Sequence, residues 1–168
     1  LTDDFGIIQF AQLSLPDISS GYTVDDNARA LIVCCSYLDQ LGKAIKTLSP
    51  EKRKKEALER VETYLHFIEF VLREDGLFYN YAKSDRTIDY EFNQKENLED
   101  ANGRTLWALA VAATTRGVPD GIRDRAFSLL KRRMAHPLTV ESPRAAAFYA
   151  KGLYLLLKTA KEPDREAF

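Results

Sequence analysis

The sequence predicts an all-α fold built from two layers of helices. Three observations predict it: apolar residues recur at helical spacing along most of the chain, helices apolar on every face alternate with helices apolar along one stripe, and a short motif recurs at the start of two of the former. With 45% hydrophobic residues over 168 positions, and nine Phe, eight Tyr and one Trp, the chain carries enough apolar mass for one core. Residues 1–168 read as a single domain, and the absence of an initial Met reads as part of a longer polypeptide.

The first helix, residues 25–41, carries Ala28, Ala30, Leu31, Ile32, Val33, Cys34, Cys35, Tyr37 and Leu38, apolar on almost every face. The second, residues 49–72, places Leu58, Val61, Leu65, Ile68 and Leu72 on one stripe and turns Glu51 to Lys55, Glu59, Arg60 and Glu62 to water. The third, residues 98–115, is again apolar all round through Leu106, Trp107, Leu109, Val111 and their alanine neighbours. The fourth, residues 120–134, buries Ile122, Ala126, Leu129 and Leu130 and exposes Arg125, Lys131 and Arg132. The fifth opens on Ser142 as N-cap with Pro143 in its first turn and runs through Phe148, Tyr149, Leu153, Leu155, Leu156 and Leu157.

The order inner, outer, inner, outer, inner is that of a double-layered α/α-toroid or solenoid, here a partial arc of helical hairpins. A closed six-hairpin ring would need roughly twice this length at about 1.5 Å of rise per residue, so the arc should expose apolar surface near its first or fifth helix. Leu31, Leu106 and Leu153 should be more buried than Lys54 or Lys131. The connection at residues 73–97 is long and contains Tyr79, Tyr81, Ile88, Tyr90 and Phe92 in partial alternation, which suggests a short hairpin. Residues 1–22 precede the first helix on the same rim.

Asp25-Asp26-Asn27-Ala28-Arg29-Ala30-Leu31 and Asp100-Ala101-Asn102-Gly103-Arg104-Thr105-Leu106 share the pattern Asp-x-Asn-x-Arg-x-Leu at the start of two inner helices. Thr23 and Asn97 stand three residues before Asp26 and Asp100 as capping residues. Read structurally, the acids stabilise the helix dipole, and Asp25 with Arg29, or Asp100 with Arg104, forms a four-residue ion pair. Read functionally, parallel inner helices bring their N-terminal ends to one cavity mouth. Asp25, Asp26, Asn27, Arg29, Asp100, Asn102, Arg104, Glu141 and Arg144 would then crowd it. Such groups bind sugar hydroxyls, and the rim tyrosines Tyr22, Tyr79, Tyr81 and Tyr90 serve either packing or a sugar's C–H face. Trp107 and Phe148 read as core.

The stretch Leu1-Thr2-Asp3-Asp4-Phe5-Gly6-Ile7-Ile8-Gln9, followed by Gly21-Tyr22-Thr23-Val24-Asp25-Asp26-Asn27-Ala28-Arg29-Ala30-Leu31, resembles a six-hairpin-glycosidase-like α/α-toroid region of bacterial proteins, often joined to a group 1 glycosyltransferase. The resemblance is dense over about the first 40 residues and loose beyond them. It implies a carbohydrate-linked role and a site lined by Asp3, Asp4, Gln9, Tyr22, Asp25, Asp26, Asn27 and Arg29. The chain departs from those relatives at Phe10, where they carry a histidine, and at Ile18-Ser19-Ser20, where they carry a basic or histidine-containing stretch.

Two classes of function follow. A glycosidase-type enzyme would set a carboxylic acid and a carboxylate across the sugar bond at roughly 5 to 10 Å, with Asp25 or Asp26 and Asp100 as the candidates. A non-catalytic module would bind a glycan or a protein beside a glycosyltransferase domain. Twenty-four basic against twenty-five acidic residues give a net charge of -1, which provides no field for nucleic acid or an anionic membrane. No cofactor and no metal are expected: Arg29 stands where an aspartate-rich magnesium motif needs its next acid, and His66 and His136 lack ligand partners. No phosphate-cradling glycine loop and no nucleophile elbow appears. Adjacent Cys34 and Cys35, the absence of a leader and the absence of a bilayer-length apolar run point to the cytoplasm.

Overall fold

The computed structural model describes residues 1–41, 50–137 and 139–159. Among them, six helices and three strands follow in the order β1 (Ile8–Gln12), β2 (Leu15–Thr23), α1 (Val24–Leu41), α2 (Pro50–Phe70), β3 (Tyr81–Ala82), α3 (Tyr90–Lys95), α4 (Glu99–Thr114), α5 (Asp120–Met134) and α6 (Pro143–Thr159). The all-α expectation, and with it the α/α-toroid arc, is corrected by an antiparallel sheet in the order β1-β2-β3, which makes the fold mixed α and β. Ser49, read as the start of the second helix, lies outside the described residues.

Local chemistry explains why the strands are hard to read. Gln12 pairs with Leu15, so Leu13 and Ser14 form a two-residue turn in which Leu13 takes φ 58°, a conformation that Gly, Asn or Asp ordinarily signals. The strand β2 contains Pro16 and Gly21, which interrupt any regular alternation. Gly21 is required: its φ is 68°, and a Cβ there would stand 2.4 Å from the Ala82 carbonyl oxygen of β3. Tyr22 pairs with Ile8 on one side and with Ala82 on the other. The strand then runs directly into α1, which delivers Thr23 as the cap of that helix.

The five longer helices sort into two rows. In one, α4 lies between α1 and α6; in the other, α2 packs on α1 and α5 packs on α4. Leu31, Leu65, Phe67, Ile68, Phe78, Leu106, Leu109 and Leu130 are fully buried between them. The middle position of α4 accounts for its burial on nearly every face. Gly103 lets α4 and α6 touch backbone to backbone, since a Cβ there would meet the Ala145 carbonyl oxygen at 2.8 Å. Leu31 and Leu106 are buried, Leu153 is half-buried, and Lys54 and Lys131 are exposed, the ranking the sequence predicts.

Two further expectations are corrected. The helices α1 and α6 are not apolar-buried all round: Val33 and Tyr37 on α1, and Tyr154 and Leu157 on α6, are exposed because each helix ends the row. The connection between α2 and α4 holds bridges from Leu72 to Phe78 and from Ala82 to Ile88, but Tyr90 and Phe92, which the alternation assigns to a hairpin, lie on α3. The Asp89 carboxylate caps that helix by accepting from the Phe92 N–H at 3.1 Å. Among the described residues, no helix is long and apolar enough to cross a membrane.

Candidate functional site

The N-terminal ends of α1, α4 and α6 lie side by side, and each is finished by polar side chains that also tie it to its neighbours. At α1 the Thr23 hydroxyl accepts from the Asp26 N–H at 3.1 Å and donates to the Asp26 carboxylate at 2.7 Å. The Asn80 side-chain oxygen accepts from the Asp25 N–H at 3.1 Å. At α4 the Asn97 side chain accepts from the Glu99 N–H at 2.8 Å, while Leu98 is the residue at the cap. At α6 the Ser142 hydroxyl accepts from the Ala145 N–H at 3.3 Å and donates to Asp100 at 2.8 Å. One Glu99 oxygen accepts from the backbone N–H groups of Glu141 and Ser142 at 2.9 and 2.6 Å.

These ends carry one ionic network. Arg29 pairs with Asp25 at 2.6 Å and approaches Asp26 at 3.5 Å, on its own helix. Arg104 reaches across from α4 to Asp25, and Arg144 reaches across from α6 to Asp100. Arg104 is 9% exposed, and its guanidinium lies 4.5 Å from the ring centre of Phe148, which is stacked on Trp107 at 5.9 Å with an interplanar angle of 8°. Burial pushes the Asp25 carboxyl above its ordinary range despite Arg104 and Arg29, and the nearby Asp26 and Asp100 charges push the same way. At Asp100 burial acts in that direction too, but hydrogen bonds from Arg144 and Ser142 overcome it and hold the carboxyl low. Burial also lowers Arg104, which Asp25 opposes.

Asp25, Asp26, Arg29, Asp100, Arg104 and Arg144 are thus brought together. The other candidates go elsewhere. Asn27 and Asn102 are buried and turned inward: Asn27 accepts from the Ile7 N–H at 3.1 Å and donates to the Thr23 carbonyl at 2.8 Å, while Asn102 accepts from the Phe78 N–H at 2.8 Å and donates to the Phe78 and Leu98 carbonyls. In the repeat, these two asparagines clasp the preceding chain segments. Asp3, Asp4 and Tyr22 form a second group around Arg86, which pairs with Asp4 and lies 3.9 Å from Asp3. Asp3 accepts from the Phe5 and Gly6 N–H groups at 2.8 and 3.0 Å and from the Tyr22 hydroxyl at 2.6 Å. Burial and the Asp3 charge push the Tyr22 hydroxyl up to about 12. Gln9 is half-buried in β1, and the Glu141 side chain is exposed. Tyr79 packs edge-on against Tyr90 at 5.3 Å, and Tyr81 lies 4.3 Å from Phe92.

The sequence reading missed the parts that join the helices. Ser142 is a donor to Asp100 as well as a cap, and Trp107 and Phe148, which the apolar pattern places in the core, are only half-buried at the α4–α6 seam. The available signal was spacing: Trp107 is three residues after Arg104 and Phe148 four after Arg144, so each ring shares a face with its arginine. Burial pushes the Cys34 thiol up and the Cys35 thiol up to about 12, the behaviour of small hydrophobes. Among the described residues, no group of three His, Cys, Asp or Glu side chains is arranged to hold a metal ion.

The class defined by this geometry is a mixed helical and β protein with a carboxylate–guanidinium rim beside stacked aromatics. Comparison with protein families, curated proteins and solved structures finds no match.

Proposed function

We propose that the chain handles carbohydrate at the rim formed by α1, α4 and α6, by glycosidase-type chemistry. The observation that carries the reading is the divergence of two carboxyl groups on adjacent helix ends: burial raises Asp25, while Arg144 and Ser142 hold Asp100 low. Two acids pushed apart in this way suit a proton donor and an ionised partner, the pairing that glycosidic bond cleavage requires. In this reading Asp25 donates the proton to the leaving oxygen and Asp100 stays charged to receive water or the anomeric carbon. Asp26, Arg29, Arg104 and Arg144 engage hydroxyls, and the half-buried Trp107 and Phe148 lie against the C–H face of a ring. The resemblance of the first 40 or so residues to a glycosidase-like region supports the same substrate class.

One observation favours the non-catalytic alternative: both acids are held by arginines, Asp25 by two of them. A rim so paired suits glycan binding beside a separate glycosyltransferase domain. The thiols of Cys34 and Cys35 suit a reducing compartment such as the cytoplasm, and the exposed Val33, Tyr37, Tyr154 and Leu157 suit self-association or cover by a further part of the polypeptide.

The test is a panel of aryl glycosides and free oligosaccharides offered to the native chain and to Asp25→Asn and Asp100→Asn. Turnover that falls by at least about 100-fold in either variant supports the enzyme. Binding without turnover, weakened in both variants, supports the module. Neither binding nor turnover on any glycan overturns the carbohydrate reading.

A further inference from the structure

A second candidate site lies away from the rim acids. Between α3, the start of α4, the end of α5 and α6 is a cavity of about 440 Å³ whose walls include Arg73, Tyr79, Tyr90, Glu99, Arg133 and Tyr149. Arg133 is 3% exposed. Its guanidinium lies 5.7 Å from the ring centre of Tyr149, its Nη1 donates at 3.4 Å to the His136 carbonyl, and its Nε has no hydrogen-bond partner. Among the described residues, no carboxylate forms an ion pair with it. An arginine stays protonated inside a protein, so burial without a counter-charge costs folding free energy that the rest of the fold must offset.

Two carboxylates, Glu96 and Glu99, also line the cavity, but among the described residues neither forms an ion pair with Arg133. One Glu99 oxygen is taken by the N–H groups of Glu141 and Ser142, which precede α6. The amides of Asn93 and Asn102, which also line the wall, are spent on backbone groups. Arg73, a second cation, pairs with Asp75 at 2.5 Å and lies 5.2 Å from the ring centre of Tyr79. Among the described residues, the hydroxyls of Tyr79, Tyr90 and Tyr149 have no hydrogen-bond partner.

We propose that this cavity binds the oxyanion group of a small molecule, a phosphate or a carboxylate, with Arg133 as its principal counter-charge. The planar guanidinium offers paired N–H donors to either anion, Arg73 adds a second positive charge, and the tyrosines present rings to the body of the ligand and hydroxyls to its polar atoms. The volume lies within the range of small-molecule sites. The inference is independent of the rim reading, because Arg73 and Arg133 take no part in the network of Asp25 and Asp100.

The test is calorimetric titration of the 168-residue chain, at constant ionic strength in a zwitterionic buffer, with inorganic phosphate and separately with glucuronate. Saturable binding of at least one probe is expected. Arg133→Met should weaken it by at least about tenfold while melting no lower than the native chain, because the uncompensated charge is gone. Arg73→Gln should weaken it by about threefold. Phosphate alone assigns a phosphoryl group, glucuronate alone a carboxylate, and both together the shared oxyanion chemistry. No saturable binding of either probe, or unchanged affinity in Arg133→Met, overturns the proposal. Should Arg133→Met fail to fold, unchanged affinity in Arg73→Gln overturns it and weakened affinity upholds it.

Discussion

Arg104 pairs with Asp25 of the neighbouring helix and not with Asp100, which stands four residues before it on its own helix. Asp100 is served by Arg144 from the next helix. Arg104 and Arg144 therefore each reach back to the acid of the helix before them in the row, and α1, α4 and α6 are joined at one end by ion pairs across their seams. The local four-residue pair forms only at Asp25 and Arg29, at the end of the row, where Arg29 is exposed.

The two acids should respond to neutralisation with opposite signs. Asp25 has a raised carboxyl in the folded state, so its contribution to stability is present below the unfolded value and is lost as pH rises through the folded one. Asp25→Asn should therefore leave the melting temperature at pH 7 equal to or above that of the native chain, with the difference vanishing in acid. Asp100 has a lowered carboxyl, so its contribution is present above the unfolded value near 3.8 and is lost as pH falls through the folded one. Asp100→Asn should cost about 0.3 to 1 kcal/mol at pH 7 and nothing in strong acid. Thermal melts from pH 2 to 8 read both, and equal losses at pH 7 would refute the asymmetry.

Removing the guanidinium that bridges α4 to α1 should cost more than removing either carboxylate. Arg104→Met leaves Asp25 partly buried beside Asp26 with only the exposed Arg29 opposite it, and about 1 to 3 kcal/mol should be lost in chemical denaturation. The double variant Asp25→Asn with Arg104→Met should recover part of that loss, and simple additivity of the two changes would show that the pair is not coupled.

Asn27 and Asn102 should behave as clasps. Changing either to Leu strips the partner from a backbone N–H, of the half-buried Ile7 or of the buried Phe78, and should cost about 1 to 3 kcal/mol. Full stability in either variant, with glycan affinity lost, would return these residues to the binding site.

The α4–α6 seam should not accept a methyl group. Gly103→Ala drives a Cβ against the Ala145 carbonyl and should destabilise by about 1 to 3 kcal/mol, although alanine is the better helix former. Gly121→Ala on α5, where a Cβ meets nothing within 4 Å, is the control and should hold or gain stability.

The turn of the N-terminal hairpin should improve on substitution. Leu13 is fully exposed with φ 58°, so Leu13→Gly relieves a left-handed conformation without loss of packing and should stabilise by about 0.5 to 1 kcal/mol in a thermal melt.

By itself the sequence determined the five longer helices, the burial of Leu31 and Leu106 against the exposure of Lys54 and Lys131, and the place of Ser142-Pro143 at the start of α6, because periodicity and capping are local properties carried by residues three or four apart. It also singled out the acids and arginines that meet at the rim. What it left out is non-local. The sheet rests on a turn without a turn residue, at Leu13-Ser14, and on the approach of β2 to β3 at Gly21, across some sixty residues of chain. Which arginine serves which acid was decided by the packing of α1, α4 and α6, since a side chain with several partners in reach takes the one that the neighbouring helix brings closest. The inward turn of Asn27 and Asn102 was decided the same way: only the folded chain places the backbone of Ile7 and Phe78 against them, and a buried amide without those partners would be too costly to keep.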